Sequence, residues 1–329
     1  MNVRIWAQAL NTMPRLSLAE WQNLDVVSRW LIATRASVLF MTFMSAALGG
    51  LLAARDGNFQ WSAWLVCTIG LMLAHATNNL LNDYTDSRRG IDKNNYYRNQ
   101  YGVHVLEDKL MTLEQFWGYV AVTGGSAVLL GMWLVWDRSG LTLDLMLAGA
   151  FFVLFYTWPL KYYGLGEPAV LLVWGPLMVG GSYYVISGHW SWDVTWLSLL
   201  YALGPTTVLF GKHIDKIDLD ASKGVRTLPV ILGERQARYW VMAMLSLQYL
   251  GCAWLVLSGR EHWLLLAVLI NLPALWRLLK LYREPKPQQA AENFPDNVWP
   301  LWFSAFAFDH TRKFTSLFVL GLLLGQLLA

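Results

Sequence analysis

Two acidic clusters are the residues in this chain best suited to chemistry. The first runs Asn78-Asn79-Leu80-Leu81-Asn82-Asp83-Tyr84-Thr85-Asp86-Ser87-Arg88-Arg89-Gly90-Ile91-Asp92. Asn79 and Asp83 are spaced four apart, as are Asn82 and Asp86, and Asp83 and Asp86 three apart, so on a helix these side chains share a face. Gly90 suits the residue just past a helix end, after which Asp92 can fold back. Carboxylates with amides one turn deeper make a hard-oxygen site for Mg²⁺, an ion that takes one or two carboxylates, keeps waters and completes its shell with phosphate oxygens. Arg88, Arg89, Lys93 and Arg98 follow and could clamp a diphosphate. As a mere helix end the cluster is poor, because acids at a C-terminus oppose the helix dipole.

The second cluster reads Lys212-His213-Ile214-Asp215-Lys216-Ile217-Asp218-Leu219-Asp220, with Lys223, Gly224 and Arg226 behind it. Asp215 and Asp218 share a helical face; Asp220 joins them only if the helix ends first. Two acidic clusters flanked by cations suggest one site holding a pair of Mg²⁺ ions around a diphosphate leaving group. A third segment, Tyr156-Thr157-Trp158-Pro159-Leu160-Lys161-Tyr162-Tyr163-Gly164-Leu165-Gly166-Glu167, has the turn chemistry of a tight helix connection. Its tyrosines, Tyr156 and Tyr163 among them, could line a pocket mouth and orient a substrate.

The elements that must carry these residues are apolar. Of 329 residues, 56% are hydrophobic and 14% charged, and there are 19 Trp. That excludes a disordered chain, a collagen and a disulfide scaffold, and it fits a polytopic membrane protein. A net charge of +3 gives no reason to expect nucleic acid as a partner. Cys67 and Cys252 lie apart in apolar runs and read as small buried residues. Residues 1–28 contain no signal-peptide core and mix Trp6, Leu10, Leu18 and Trp21 with Arg4, Arg15 and Glu20, as an interfacial amphipathic segment does.

Nine spans are expected near Ile32–Ala53, Trp61–Leu81, Phe116–Trp136, Leu141–Trp158, Ala169–Ile186, Trp196–Phe210, Trp240–Leu257, Trp263–Leu279 and Phe314–Leu328. Phe294–Phe308 is either interfacial or the start of a long last helix. With the N-terminus cytoplasmic, only Arg55, Arg138 and Arg260 of the 25 Lys and Arg fall outside, and both acidic clusters fall inside. Residues 29–329 thus form one transmembrane domain with no room for a second soluble one.

These motifs resemble the UbiA superfamily of intramembrane prenyltransferases. The match rests on Asn82-Asp83-x-x-Asp86 with Gly90 and Asp92, on Gly224-Val225-Arg226-Thr227-Leu228-Pro229-Val230-Ile231-Leu232-Gly233 behind the second cluster, and on Tyr156-Thr157 with Gly164-Leu165-Gly166-Glu167. The step from Asp86 to Asp92 and the Gly-Leu-Gly-Glu element look most like the dihydroxynaphthoate prenyltransferases of the menaquinone branch. The resemblance implies an all-α fold of about nine helices around a central cavity in a bacterial inner membrane. It further implies Mg²⁺ on Asn79, Asp83 and Asp86, with Asp92, Asp215, Asp218 and Asp220 as further ligands. Asn82, Arg88, Arg89, Lys93, Lys223 and Arg226 are then candidates for the isoprenyl diphosphate, and a lipophilic aromatic acceptor is the second substrate. Relatives commonly place second-motif acids eight and four positions before Gly224, which here are Lys216 and Asp220. A terpene cyclase with the same diphosphate site and a membrane transporter are the alternatives. Prenyl length, acceptor identity and oligomeric state stay open at this stage.

Overall fold

In a computed structural model of the chain, residues 3–12, 14–92, 102–292, 294 and 298–328 are described. The described residues contain helices and turns and no strand. Seven helical runs are long and apolar enough to cross a membrane: Ala36–Arg55, Trp61–Arg88, Leu113–Arg138, Gly166–Ser187, Trp192–Asp215, Glu234–Leu257 and Trp263–Arg283. Thr142–Phe155 is apolar but short, and Trp302–Leu328 carries Asp309, Arg312 and Lys313 in its first half. Each of the nine expected spans therefore falls on a helix. Large apolar side chains such as Leu129, Trp136, Leu257 and Ile270 are exposed on these helices, as lipid-facing residues of a multi-pass membrane protein must be.

The backbone divides into two compact units. The first comprises residues 1–53, 58–158 and 181–190. It holds α1 (Val3–Asn11), α2 (Leu18–Gln22), α3 (Val26–Ala33), α4 (Ala36–Arg55, whose last two residues group with the second unit), α5 (Trp61–Arg88), α6 (Leu113–Arg138), α7 (Thr142–Phe155) and, after a gap in sequence, α9 (Gly181–Ser187). The N-terminal helices are held by their caps. Ser17 and Glu20 make a reciprocal capping box on α2, and Asp25 caps α3 while accepting from the Trp6 indole at 3.2 Å. Ala9 and Trp21 are buried in one cluster with Ile32, Leu80, Val105, Met111 and Phe116. The expected interfacial segment thus packs under the α5–α6 connection.

The first expected span is interrupted. Helix α3 ends at Thr34, whose hydroxyl bonds back to the Trp30 carbonyl at 2.7 Å, and Arg35 adopts a left-handed conformation (φ 55°) before α4 begins. A non-glycine residue is placed there only when its surroundings over-determine it, at a cost of about 1 kcal/mol. The surroundings are a hydrogen bond from the Asn79 amide to the Thr34 carbonyl, at 2.9 Å, and an ion pair described below.

The second unit comprises residues 54–57, 159–180 and 191–329. It holds a short 3₁₀ turn (Leu160–Tyr163), α8 (Gly166–Leu172), a wide π-type turn over Val173–Gly180 around Pro176, α10 (Trp192–Asp215), α11 (Ile217–Ser222), α12 (Leu228–Leu232), α13 (Glu234–Leu257), a 3₁₀ stretch (Trp263–Asn271) running into α14 (Leu272–Arg283), and α15 (Trp302–Leu328). Pro176 and Pro273 explain why two spans are not regular α-helices, since each removes a backbone donor. Helix α10 is the hub, touching α8, α13 and α15, and most of it is buried. At Gly211 a Cβ would meet the backbone of Phe303 and Ser304 at 2.8–2.9 Å, so only glycine admits α15 this closely. The ambiguous segment 294–308 resolves in part into the first two turns of α15.

Candidate active site

Helix α5 carries the first acidic cluster on its last turns. Its end has the expected form: Gly90 is left-handed (φ 72°), and the Ile91 N–H reaches back to the Asp86 carbonyl at 2.8 Å. That reversal turns Asp92 toward the helix. The ligand atoms of Asp83, Asp92 and His104 all lie within 4.8 Å of one another, and all three residues are buried. Asp83 is only 1% exposed, and Asp86 and Asn79 are buried one turn to either side. Asn82 is half-buried, while Arg88 and Arg89 project outward, Arg89 over the Trp158 ring at 4.7 Å. Lys93 and Arg98 lie outside the described residues.

Two residues complete this group that inspection of the motif missed. Arg35, held at the α3–α4 break, forms an ion pair with Asp83. His104 Nε2 stands 3.0 Å from Asp92 Oδ2, while its Nδ1 faces the backbone N–H groups of Leu106 and Glu107 at 3.4 and 3.3 Å. Two donors facing Nδ1 make that nitrogen the acceptor, so the proton sits on Nε2 and is donated to Asp92. The His104 N–H in turn donates to Asp108 at 2.7 Å, and Ser87 donates to Glu107 at 2.5 Å, so the loop is fastened back onto the end of α5. Neither Arg35 nor His104 carries a local sequence signal.

In the second cluster the three acids go three ways. Asp215 does not face Asp218. Its two carboxylate oxygens accept the backbone N–H groups of Phe303 and Ser304 at 2.9 and 3.0 Å, capping the first turn of α15, with the Lys286 ammonium 3.9 Å away. The Lys286 ammonium also donates to the Asp215 and Pro300 carbonyls, and burial holds its pKa below that of an ordinary lysine, against the raising effect of Asp215. The physical reason is the break at Lys216 (φ −123°, ψ 26°), which separates α10 from α11 and ends the shared helical face. On α11, Asp218 is exposed and Asp220 is buried, the opposite-face relation that two residues of helical spacing impose. Asp220 Oδ1 accepts from the Lys216 ammonium at 2.8 Å, and its buried Oδ2 has no hydrogen-bond partner. Lys223 is half-buried and Arg226 exposed.

The third segment supplies an anchor. Glu167, buried at the start of α8, lies 2.6 Å from His213 Nδ1 and accepts the Leu228 N–H at 3.3 Å, tying the Gly-Leu-Gly-Glu element to the residues flanking the second cluster. Gly164 is left-handed (φ 74°) and lies against Ile231, with no room for a side chain. Tyr163 is 65% exposed and lines no enclosed site; Tyr156 is half-buried at the end of α7.

The donor set fits magnesium. Asp83 and Asp92 converge as buried hard-oxygen groups beside Asp86. His104, with its Nε2 proton on Asp92, orients a carboxylate instead of supplying a ligand.

Residues 43–306 match the UbiA prenyltransferase family. The chain is 27% identical over 318 residues to the 1,4-dihydroxy-2-naphthoate octaprenyltransferase of Escherichia coli, covering 93% of this chain and 98% of that protein. It is 26% identical over 279 residues to the UbiA prenyltransferase domain-containing protein 1 of Danio rerio, covering 82% of this chain and 81% of the relative. Among solved structures, a UbiA homolog from Archaeoglobus fulgidus bound to GPP and Mg²⁺ superposes with a TM-score of 0.56 at 12% identity, over 88% of this chain and 99% of that one. A digeranylgeranylglyceryl phosphate synthase superposes with a TM-score of 0.59 at 15% identity, over 91% and 98%. Those two establish the fold; the family match spans most of the sequence. With seven apolar membrane-length helices among the described residues and buried acids at the end of α5, the chain belongs to the UbiA family and is a membrane prenyltransferase.

Proposed function

We propose that this prenyltransferase moves an isoprenyl group from a polyprenyl diphosphate to a lipophilic aromatic acceptor of the naphthoate type, with Mg²⁺ held by Asp83, Asp86 and Asp92. The observation that carries this reading is the buried convergence of Asp83 and Asp92, far in excess of what a helix end needs. The near full-length similarity to a dihydroxynaphthoate prenyltransferase supports the acceptor class. The Mg²⁺ would neutralise diphosphate oxygens and so ease departure of the leaving group.

The chain's own residues do the rest. Arg35 pairs with Asp83, and His104 holds Asp92 through its hydrogen bond. Asn79 fixes the α3–α4 break that presents Arg35. Arg88, Arg89, Lys223 and Arg226 supply cations for the diphosphate, joined by Lys93, while Asp218 and Asp220 belong to the second acid set and Asn82 and Tyr156 to substrate orientation. In the reaction the allylic C–O bond breaks with its electron pair leaving on diphosphate, an acceptor ring carbon forms the new C–C bond, and that carbon loses its proton. No covalent protein nucleophile is needed. The same reading makes residues 29–329 one functional domain and puts the N-terminus and both acid clusters on the cytoplasmic side of a bacterial inner membrane.

The test uses the full chain in nanodiscs with labelled farnesyl, geranylgeranyl and longer diphosphates, with and without Mg²⁺ and 1,4-dihydroxy-2-naphthoate. Diphosphate release that needs both Mg²⁺ and acceptor, and that Asp83→Ala abolishes, is the expected result. Release without acceptor, giving a hydrocarbon or alcohol, overturns the transfer reading.

A further inference from the structure

The turn joining α10 to α11 contains a buried ion pair that is only half satisfied. Lys216 is 8% exposed and Asp220 2% exposed. The Lys216 ammonium has three donors, and one of them is given to Asp220 Oδ1 at 2.8 Å; among the described residues it has no other partner. Asp220 Oδ2 is buried and likewise without a partner. The backbone that carries the pair is fixed on both sides: the Asp220 N–H donates to the Lys216 carbonyl at 2.9 Å, and the Val225 N–H to the Asp220 carbonyl at 2.9 Å. Within electrostatic reach of both, His213 is paired with Glu167 at 2.6 Å.

Burying unmet donors beside an unmet carboxylate oxygen is costly unless something completes the pair. Whatever does so must offer acceptor oxygens to the ammonium and a cation to the carboxylate. A metal-chelated diphosphate offers both. We infer that Lys216 is a diphosphate-binding residue: a fixed positive charge that grips the donor's phosphate oxygens directly, while the neighbouring Asp220 Oδ2 faces the metal. The inference rests on the prenyl diphosphate reading above and deepens it. It assigns part of the charge neutralisation to a side chain of the protein itself, in place beside Asp220 whether or not Mg²⁺ is bound.

The experiment measures binding, not turnover. A non-ionising donor analogue, farnesyl thiodiphosphate, is titrated into the full-length protein in nanodiscs, once with Mg²⁺ and once with EDTA. Wild type is expected to retain measurable affinity in EDTA. Lys216→Met should weaken that affinity about tenfold, and Lys216→Arg should largely preserve it, the scale of one charge-assisted hydrogen bond. Asp220→Asn should raise the Mg²⁺ concentration needed for tight binding while leaving the EDTA affinity undiminished. Should Lys216→Met bind as wild type does in both buffers, the assignment of Lys216 is wrong and the prenyl diphosphate reading stands. If wild type fails to bind the analogue even with Mg²⁺, both fall. Thermal unfolding of each variant is followed in parallel, and Lys216→Gln serves as a second neutral variant should Lys216→Met not fold; loss of EDTA affinity in Lys216→Gln counts as the same support, and its retention as the same refutation.

Discussion

His104 donates the proton of Nε2 to Asp92 across 3.0 Å, although twelve residues and the whole α5–α6 turn separate them. That hydrogen bond decides where Asp92 points, and therefore whether a second carboxylate stands beside Asp83.

His104→Ala should release Asp92 without removing any carboxylate. The expected outcome is a rise of about tenfold or more in the Mg²⁺ concentration for half-maximal diphosphate release, the usual scale for losing a group that orients a metal ligand, with turnover at saturating Mg²⁺ less affected. A Mg²⁺ titration of the variant in nanodiscs measures it. An unchanged half-saturation would mean that Asp92 is placed by its own turn.

Arg35 and Asp83 form a second pair within the first acidic cluster. Arg35→Met takes the guanidinium away from a carboxylate that is 1% exposed and should destabilise the protein by about 3 kcal/mol. Combining it with Asp83→Asn removes that carboxylate's charge and should recover most of that loss, while activity stays absent in both. Thermal unfolding of the two single variants and the double variant gives the coupling directly.

Asp215 and Asp220 should part company under mutation. Asp215→Asn weakens two caps of α15 and should cost about 1–2 kcal/mol of stability while leaving the folded fraction active. Asp220→Asn takes the negative charge away from the buried Lys216 ammonium, so it too should lower stability, but it should in addition depress activity per folded molecule at limiting Mg²⁺. Equal loss of activity per folded molecule in the two variants would return Asp215 to the metal site.

Gly211→Ala tests the packing that permits this cap. Its Cβ would meet the Phe303 and Ser304 backbone at 2.8–2.9 Å, and backbone does not yield as a side-chain tip can. A lowered midpoint in thermal unfolding, by several degrees, is expected; an unchanged midpoint would show that α15 can slide.

The nine apolar segments and the acids of α5 were legible because each is written within one stretch of sequence: hydropathy over twenty residues, a three-and-four spacing, a glycine where the helix must reverse. Gly90 and Asp92 behave as those rules require. What sequence did not disclose are relations between distant residues. Asp215 looks like its neighbours until a helix beginning nearly ninety positions later supplies two N–H groups for it. Asp218 has the right charge on the wrong face of α11, and the α10–α11 break at Lys216, which fixes that, has no marker such as proline or glycine. Arg35 sits inside what hydropathy reads as one continuous span, since a break made by hydrogen bonds from Thr34 and Asn79 leaves no trace in composition.

The cap that Asp215 places on α15 has a consequence for biogenesis. The carboxylate belongs to α10, yet its partners are the amides of residues 303 and 304, which the ribosome makes nearly ninety residues later. Until α15 has been made and packed, the end of α10 carries this acid without its two amide donors, one peptide bond before Lys216. The second acid cluster is thus assembled late, and a nascent or C-terminally shortened chain should leave the translocon with its first cluster formed and its second still open to quality-control proteases.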